Sequence, residues 1–323
     1  MKLCVVIPTF NRKEKLERTL VYLKNQIRDD FYIVIADNNS DYRIEDIVAS
    51  FSDEFKKRII IKKNKFNIGM CGNIAGLFEK ADAEWCWFLS DDDFPQKTAI
   101  DTIMNDIDIY SKQGVSIIQY PHFKIADEMI KEYTIVGNLV DYIEYFNNLL
   151  TSGNTLTEVE GTLVYLSNKV YRIGMLGDYI RYAYDYCNTG IPQVMPIIKA
   201  LDDCRAHILL HNEIIIHTDP ENERSWNIKS IALGMSTIRN IPLNLDEKRK
   251  KELWYLLMIR FKLVLEDYFR NGVNDFDYLN ILYNNIYKYI LNPNHNDYYS
   301  EVLRHAKEGT EMKYLKMTIG EAL

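Results

Sequence analysis

The chain has few cysteines, and they are poorly placed for pairing or for binding metal. Five occur in 323 residues, an odd number, and none forms a CxxC pair. Widely spaced cysteines of this kind are typical of small buried apolar residues in a reducing compartment, not of a disulfide framework. We therefore expect a cytoplasmic protein.

Long apolar runs and an excess of positive charge are also missing. No stretch approaches the ~20 apolar residues that a membrane-spanning helix needs. The early run Leu3–Ile7 is too short for the core of a signal peptide. The formal net charge of -7 argues against nucleic acid as a partner. With 47% apolar residues and no low-complexity tract, the chain is expected to be globular.

The first third of the chain alternates short apolar runs with segments of helical spacing. Helical spacing is found at 13–25, 44–51, 72–80 and 96–110, and in the first segment Leu16, Leu20 and Leu23 share one face. This βαβ repetition predicts an α/β fold with a doubly wound, mostly parallel sheet. The runs expected to be strands buried on both faces are LCVVIPTF, FYIVIADNN, RIIIKKN, WCWFLSD and VSIIQYP.

Polar residues follow each of the first four predicted strands. The carboxyl ends of parallel strands share one edge of a sheet, where ligands bind, so these residues are expected to line one crevice. Taken singly, each stretch also fits a turn, a helix start or a solvated charge run. The stretches are PTFNR (8–12), ADNNSD (36–41), NKFNIG (64–69) and SDDD (90–93).

The motifs VVIPTFNR, IADNNSD, NIGMCGN and WFLSDDD, in this order, resemble the family 2 glycosyltransferases that build bacterial surface polysaccharides. The resemblance implies the Rossmann-like GT-A fold and transfer of a hexosyl group from a nucleotide-sugar donor to a saccharide or lipid-linked acceptor, with inversion. The expected catalytic domain spans 1–235, with a nucleotide-binding half (1–115) and an acceptor half with a lid (116–235). A helical region follows at 236–323.

The resemblance also assigns donor contacts to residues at the strand ends. Asp37 is expected to bond the base and Asp91 to face the ribose. Asn67, Gly69 and Asn73 are expected to shape the helix start beside the nucleotide, where glycine allows close backbone approach. The residues expected to line the nucleotide are Pro8, Thr9, Asn11 and Arg12.

Three consecutive aspartates repel one another unless water, backbone amides or a cation takes up their charge. By resemblance they clamp Mn²⁺ or Mg²⁺, which prefers carboxylates and water and would bridge the donor's two phosphates. Asp92 and Asp93 are the expected ligands, and the choice between them stays open. The common family pattern is Asp-Ser-Asp-Asp, whereas Ser90 stands first here.

The stretch HNEIIIHTD (211–219) is expected to be a strand, and HTDPENERSW (217–226) resembles the lid that closes over the diphosphate. His217 and Arg224 are the residues expected to touch phosphate. An ordinary surface loop is the alternative for this segment.

The general base is less well marked. Many inverting members place Glu-Asp before a helix in mid-domain to deprotonate the acceptor hydroxyl. Here GIPQVMPIIKAL offers no acid before Val194. Asp185, in RYAYDYCN, is the predicted base and Asp178 the reserve. An exposed loop carboxylate is the alternative for both.

After residue 244 the pattern becomes helical. A long helix is predicted within 245–272, with Asp246 as N-cap and Gly272 past its end, and two more are predicted around 278–291 and 298–307. Basic residues at 248–251 adjoin the apolar run 254–257. This stripe suits core packing or a peripheral contact with the inner face of the cell membrane, and the helices also offer a surface for a homo-oligomer.

Two rivals share the expected architecture. A sugar nucleotidyltransferase usually carries a glycine-rich phosphate loop after the first strand, and PTFNRKEK contains no glycine. A non-catalytic nucleotide-sugar-binding or scaffold protein is suggested by the missing Glu-Asp pair. Turnover of nucleotide sugars separates these possibilities.

Overall fold

The computed structural model describes residues 1–26, 28–80, 82–123, 133–218, 228–258, 261, 275–287 and 289. The chain folds as two compact units. One comprises residues 1–187 and 191–224, and the other comprises residues 188–190 and 225–323. The expected domain boundary after residue 235 stays a prediction.

The first unit contains all ten strands found in the described part of the chain. They are β1 (Leu3–Thr9), β2 (Phe31–Asp37), β3 (Ile59–Lys63), β4 (Trp85–Phe88), β5 (Asp93–Pro95), β6 (Ile117–Gln119), β7 (Thr134–Val136), β8 (Lys169–Arg172), β9 (Ile208–Leu210) and β10 (Ile216–Thr218). Eight form one sheet in the order β3-β2-β1-β4-β8-β6-β9-β7, while β5 and β10 form a separate ribbon.

The helices flank this sheet or follow it in sequence. Those in the described residues are α1 (Lys13–Lys24), α2 (Ile44–Val48), α3 (Asp53–Lys56), α4 (Gly69–Ala75), α5 (Ala99–Tyr110), α6 (Leu139–Thr151), α7 (Leu156–Val164), α8 (Ile173–Leu176), α9 (Arg181–Asp185), α10 (Met195–Asp202), α11 (Ile228–Met235), α12 (Glu247–Met258) and α13 (Phe276–Leu282). None of the helices described is long and apolar enough to cross a membrane.

The predicted α/β class with a mostly parallel sheet is confirmed. β1 pairs in parallel with β2 and β4, and β2 pairs in parallel with β3. On α1, Leu16, Leu20 and Leu23 are fully buried in the same core as alternate residues of β1 and β2. Burying each such side chain contributes about 1.5–3 kcal/mol, so the periodicity of the sequence fixes which face of α1 meets the sheet.

Three strands differ from expectation. β3 lies at the sheet edge with Ile60 exposed, so it is not buried on both faces. β8 runs antiparallel between β4 and β6. Of the predicted strand over 211–219, only β10 forms, and it pairs with β5 outside the main sheet. Pairing with distant segments determined the position and direction of all three strands. The periodicity of the sequence does not indicate these long-range pairings.

The second unit contains α11, α12 and α13. The predicted N-cap is confirmed, because Asp246 Oδ1 accepts a hydrogen bond of 2.8 Å from the Arg249 amide. The apolar stripe of α12 is buried at Leu253, Leu256 and Leu257. Arg249 forms an ion pair with Glu252 on the same helix. The predicted helix end at Gly272 and the predicted helix over 298–307 lie outside the described residues.

Candidate active site

The carboxyl ends of β1, β2 and β3 lie side by side. Thr9 is the register partner of Asp37, and Asp37 is the partner of Lys63. Backbone hydrogen bonds continue past the strands, from the Asn38 amide to Thr9 O at 2.9 Å and from the Asn64 amide to Asp37 O at 2.8 Å. The expected convergence of the first three strand ends is therefore confirmed.

Asn11 ties the first strand-end loop to the second. Its backbone has φ of +54°, in the left-handed region where asparagine is among the few tolerated residues. Its amide donates to Ser40 Oγ at 3.0 Å, and its side chain donates to Asp41 Oδ2 at 2.8 Å. Pro8 and Thr9, the other residues predicted here, are the last two of β1.

Asp37 is fully buried at the end of β2. Its Oδ1 accepts a hydrogen bond of 2.8 Å from the Ser40 amide, which closes the turn. Its Oδ2 has no hydrogen-bond partner among the described residues, and Lys63 Nζ lies 3.5 Å away. One carboxylate oxygen thus builds the loop, and the other remains as an acceptor for a donor group.

Amide side chains bind the third strand-end loop to the second. Asn38 Nδ2 donates to Asn67 Oδ1 at 2.8 Å, and Asn64 Nδ2 donates to Asn73 Oδ1 at 3.0 Å. Asn67 Oδ1 also accepts from the Gly69 amide at 2.8 Å, and Gly69 has φ of +77° at the start of α4. Asn67, Gly69 and Asn73 therefore shape this helix start, and their place beside the nucleotide stays a prediction.

The aspartate triplet is not a solvated charge run. Asp91, Asp92 and Asp93 are only 3%, 6% and 5% exposed. They follow the fully buried strand β4. Because this strand lies inside the sheet, the three carboxylates that follow it are also buried. Burial of three adjacent carboxylates is costly unless each finds a partner.

Asp91 and Asp92 share a guanidinium. Arg12 Nη1 lies 3.2 Å from Asp91 Oδ1 and 2.9 Å from Asp92 Oδ2, and Lys15 Nζ lies 3.9 Å from Asp92. Thr9 Oγ1 donates to Asp91 Oδ2 at 2.7 Å. Residues at the end of β1 and the start of α1 thus hold the first two carboxylates.

Asp93 has a different environment. Its carboxylate accepts a hydrogen bond from the Ser167 hydroxyl, which belongs to the connection between α7 and β8. Its backbone lies in β5, opposite Thr218 of β10. The third aspartate is therefore held by the later part of the chain and by a neutral group.

Burial dominates the electrostatics of the triplet. It raises the pKa of Asp91 to about 6, although Arg12 opposes the shift. It raises the pKa of Asp93 to about 7, with Ser167 opposing and the neighbouring aspartates adding to the shift. A site that disfavours negative charge to this extent favours binding of a cation.

The carboxylates of this site fit a cation that is bound chiefly by the phosphates of a nucleotide and only in part by the protein. Among the described residues, no group of three or more His, Cys, Asp or Glu side chains is arranged to hold a metal. Mg²⁺ in phosphate sites is usually bound through only one or two carboxylates. Asp92 and Asp93 supply oxygen donors of the type that Mg²⁺ and Mn²⁺ prefer.

The two base candidates are exposed and lie near each other, since both carboxylates act on the charge of Arg181. Asp178 follows the end of β8 that pairs with Trp85, the first residue of β4. It therefore lies toward the edge of the sheet opposite the triplet. Asp185 ends α9, next to the buried residues Tyr182 and Ala183.

The predicted lid is only partly within the described residues. His217 is exposed in β10 and lies opposite Phe94 of β5. The described residues of this segment end at Thr218. The predicted segment thus begins inside a strand and not after it. Arg224 lies outside the described residues.

Sequence reasoning missed two residues of this site. Lys15, in the first turn of α1, lies near Asp92, and Ser167 contacts Asp93. Lys15 was open to prediction, because it lies three residues after Arg12 at the start of the same helix. Ser167 carried no signal, since it lies 74 residues from its partner.

Residues 4–173 match glycosyl transferase family 2. The match covers more than half of the chain, and the chain belongs to this family of glycosyltransferases. The match includes the strand-end loops and the buried aspartates described above.

Curated relatives carry the same class of activity. The chain is 25% identical over 239 residues to the abequosyltransferase RfbV of Salmonella typhimurium, covering 69% of this chain and 68% of the relative. It is 32% identical over 104 residues to a GalNAc(5)-diNAcBac-PP-undecaprenol β-1,3-glucosyltransferase of Campylobacter jejuni, covering 32% and 33% of the two chains.

Solved structures share the fold. Residues 1–349 of TarS from S. aureus, in complex with UDP-GlcNAc, superpose with a TM-score of 0.64 at 16% identity, covering 97% of this chain and 93% of that one. The likeness establishes the GT-A architecture.

Proposed function

We propose that the protein is a metal-dependent, inverting glycosyltransferase that moves a sugar from a nucleotide-sugar donor to a saccharide or lipid-linked acceptor in cell-surface polysaccharide synthesis. The observation that carries the proposal is the burial of three adjacent aspartates at the carboxyl edge of the sheet. There, the described hydrogen-bond partner of the Asp93 carboxylate is the Ser167 hydroxyl and not a Lys or Arg side chain.

The nucleotide is proposed to lie across the ends of β1, β2 and β3. Asp37 Oδ2 is proposed to accept a hydrogen bond from the base, since it has no hydrogen-bond partner among the described residues. Asn11 holds the first two loops together, and the amide network around Asn67 holds the third. These bonds preorganise the pocket, which lowers the ordering cost of binding.

The diphosphate is proposed to lie beside Arg12, Lys15 and the triplet. Asp92 and Asp93 would hold Mn²⁺ or Mg²⁺, which when bound neutralises charge on the departing nucleoside diphosphate. Arg12 positions Asp91 and Asp92 through its two short contacts. His217, in the strand opposite β5, is proposed to reach the same phosphates from the lid side, together with Arg224.

The acceptor hydroxyl must lose a proton as it attacks. We assign this step to Asp185, because its exposed carboxylate ends α9 shortly before the apolar helix α10, the neighbourhood where many inverting members of the family place their base. A positioned carboxylate of this kind typically contributes about 10²–10⁴-fold to the rate. Asp178 stays the reserve candidate.

The acceptor class rests on relatives. The Campylobacter jejuni enzyme is named for an undecaprenol-linked acceptor, and the Salmonella typhimurium enzyme is named for transfer of abequose. By analogy we propose a saccharide or lipid-linked acceptor here. A peripheral membrane contact and self-association are proposed from the C-terminal helices, where basic residues at 248–251 adjoin the apolar run 254–257.

The test is a thermal-shift screen of UDP, GDP, CDP and dTDP and their sugars, each with and without Mn²⁺. A ligand at 100 times its Kd stabilises the protein by about 2.7 kcal/mol. Stabilisation by one nucleotide that grows with Mn²⁺ and is lost in Asp93→Asn supports the proposal. Asp101→Asn, on the exposed side of α5, is the matched control. If a nucleotide sugar binds and no acceptor extract is glycosylated, the protein is a non-catalytic binder.

A further inference from the structure

Ser167 lies at the centre of a buried hydrogen-bond junction. Its side chain is fully buried, and its hydroxyl donates to Asp93 Oδ2. The same Oγ accepts from the Ser90 amide at 2.8 Å. Its carbonyl accepts from Trp87 Nε1 at 2.7 Å. The hydroxyl oxygen thus accepts one hydrogen bond, from Ser90, and the hydroxyl proton is donated to the carboxylate of Asp93.

These bonds determine the orientation of the carboxylate. Within the described chain, Ser167 is the one hydrogen-bond partner of the Asp93 side chain, and it occupies Oδ2. Oδ1 is therefore the oxygen left for a ligand. A carboxylate held at one oxygen presents the other in a fixed direction, which is how supporting hydrogen bonds orient metal ligands.

The neighbouring aspartates also contact a cationic side chain. Asp91 and Asp92 contact the guanidinium of Arg12, which compensates their charge, and Asp92 accepts a further hydrogen bond from the Ser90 hydroxyl. A hydroxyl positions Asp93 without neutralising it. Compensation of charge on Asp93 is therefore left to a bound cation, whereas the charge of Asp92 is already shared with Arg12.

Ser167 also comes from a different part of the chain. It lies in the connection between α7 and β8, in the half expected to bind the acceptor, 74 residues beyond Asp93. Next to it, Asn168 Nδ2 donates to Tyr120 O at 3.0 Å and to Thr162 O at 2.8 Å. The junction thereby links the carboxylate to β6 and α7.

We propose that Ser167 is a positioning residue that aims Asp93 at the divalent cation of the nucleotide complex. The inference rests on the proposed function and assigns the metal contact to Oδ1 of Asp93. Loss of the Ser167 hydroxyl should weaken binding of the cation to the nucleotide complex and leave metal-free nucleotide binding unchanged.

The experiment measures Mn²⁺ affinity by calorimetry and by electron paramagnetic resonance, with the full chain saturated in turn with UDP, GDP, CDP and dTDP. Ser167→Ala is expected to weaken Mn²⁺ binding by about tenfold to a hundredfold, the usual effect of a lost hydrogen bond to a charged group. Nucleotide affinity in chelator should stay within about twofold of the wild type.

Ser116→Ala is the matched control. Ser116 is also fully buried, and its hydroxyl bonds the backbone of His207, with distances of 3.1 Å and 3.2 Å, beside the start of β6. It lies at the opposite edge of the sheet, so its loss should affect stability and not Mn²⁺ affinity. Ser167→Cys keeps a side chain of the same shape but slightly larger size and weakens the donor, and it provides the same comparison if the alanine variant does not fold.

The outcomes separate the two proposals. Wild-type protein that binds Mn²⁺ with none of the four nucleotides overturns the proposed function and the role of Ser167 with it. Normal binding by the wild type with unchanged Mn²⁺ affinity in Ser167→Ala overturns the role of Ser167 alone. An equal loss in Ser116→Ala would also overturn it, because the effect would then be one of general stability.

Discussion

Lys63 Nζ lies 3.5 Å from Oδ2 of Asp37, and the two residues are register partners at the ends of β3 and β2. That oxygen accepts no hydrogen bond from the described residues, although Asp37 is fully buried. An ion-paired carboxylate oxygen without a hydrogen bond is a ready acceptor for an N–H group of a base.

The first prediction follows from this geometry. Asp37→Asn keeps an oxygen for the Ser40 amide and replaces the second acceptor with a donor, so nucleotide binding should weaken by about tenfold to a hundredfold. Isothermal titration with the nucleoside diphosphate selected by the thermal-shift screen measures the change. Unchanged affinity would return Asp37 to a purely structural role in the turn.

The second prediction concerns metal dependence. Exhaustive chelation should abolish sugar transfer, and added Mn²⁺ should restore it. Asp93→Asn should remain inactive at any Mn²⁺ concentration, because a neutral amide is a poor ligand for a hard cation. Transfer assays at a series of Mn²⁺ concentrations measure this. Full activity after chelation would contradict the proposed metal role.

The third prediction compares the two base candidates. Asp185→Asn should lower kcat by at least about a hundredfold. Donor affinity should stay nearly intact, since the residue acts on the acceptor. Asp178→Asn serves as the comparison and should be nearly normal, because Asp185 alone is proposed to take the proton. Steady-state kinetics with both substrates separate the effects. Normal kcat in Asp185→Asn would reject the assignment.

The fourth prediction concerns pH and His122. Burial, with a smaller effect of Lys169, lowers the pKa of His122 to about 4, while its ring stacks on Tyr165 at 4.1 Å. A histidine with a lowered pKa favours folding in its neutral form. Its contribution is complete above the unfolded pKa of about 6.5 and is lost as the pH falls toward 4.

His122→Phe keeps the stacked ring and removes the titration. Thermal melts of this variant should depend less on pH between about 6.5 and 4 than melts of the wild type, while the two should differ little at pH 8. Parallel pH profiles for the two proteins would show that His122 does not contribute to acid unfolding.

The fifth prediction tests packing in the second unit. A Cβ at Gly234 of α11 would lie 1.7 Å from the backbone oxygen of Asn188, which cannot rotate away. Gly234→Ala should therefore destabilise this unit by about 1–3 kcal/mol or more. Gly174→Ala is the control, because nothing lies within 4 Å of its Cβ position. Urea unfolding of both variants measures the difference, and equal stabilities would contradict the close approach.

Local pattern was sufficient for much of this protein. The spacing of Leu16, Leu20 and Leu23 determined the buried face of α1, and the apolar runs located β1, β2 and β4. Asp246 marked the start of α12. These features depend on residues within one or two turns of each other, so the sequence itself contains the interactions that produce them.

Tertiary structure decided the rest. The insertion of β8 between β4 and β6, the exposure of β3 and the bond from Ser167 to Asp93 depend on segments that are far apart in the chain. The periodicity of a sequence does not indicate which distant strands pair or which hydroxyl forms a hydrogen bond with a given carboxylate. The sequence placed three aspartates after a buried strand, whereas the packed sheet decided that a shared guanidinium holds two of them and a serine hydroxyl holds the third.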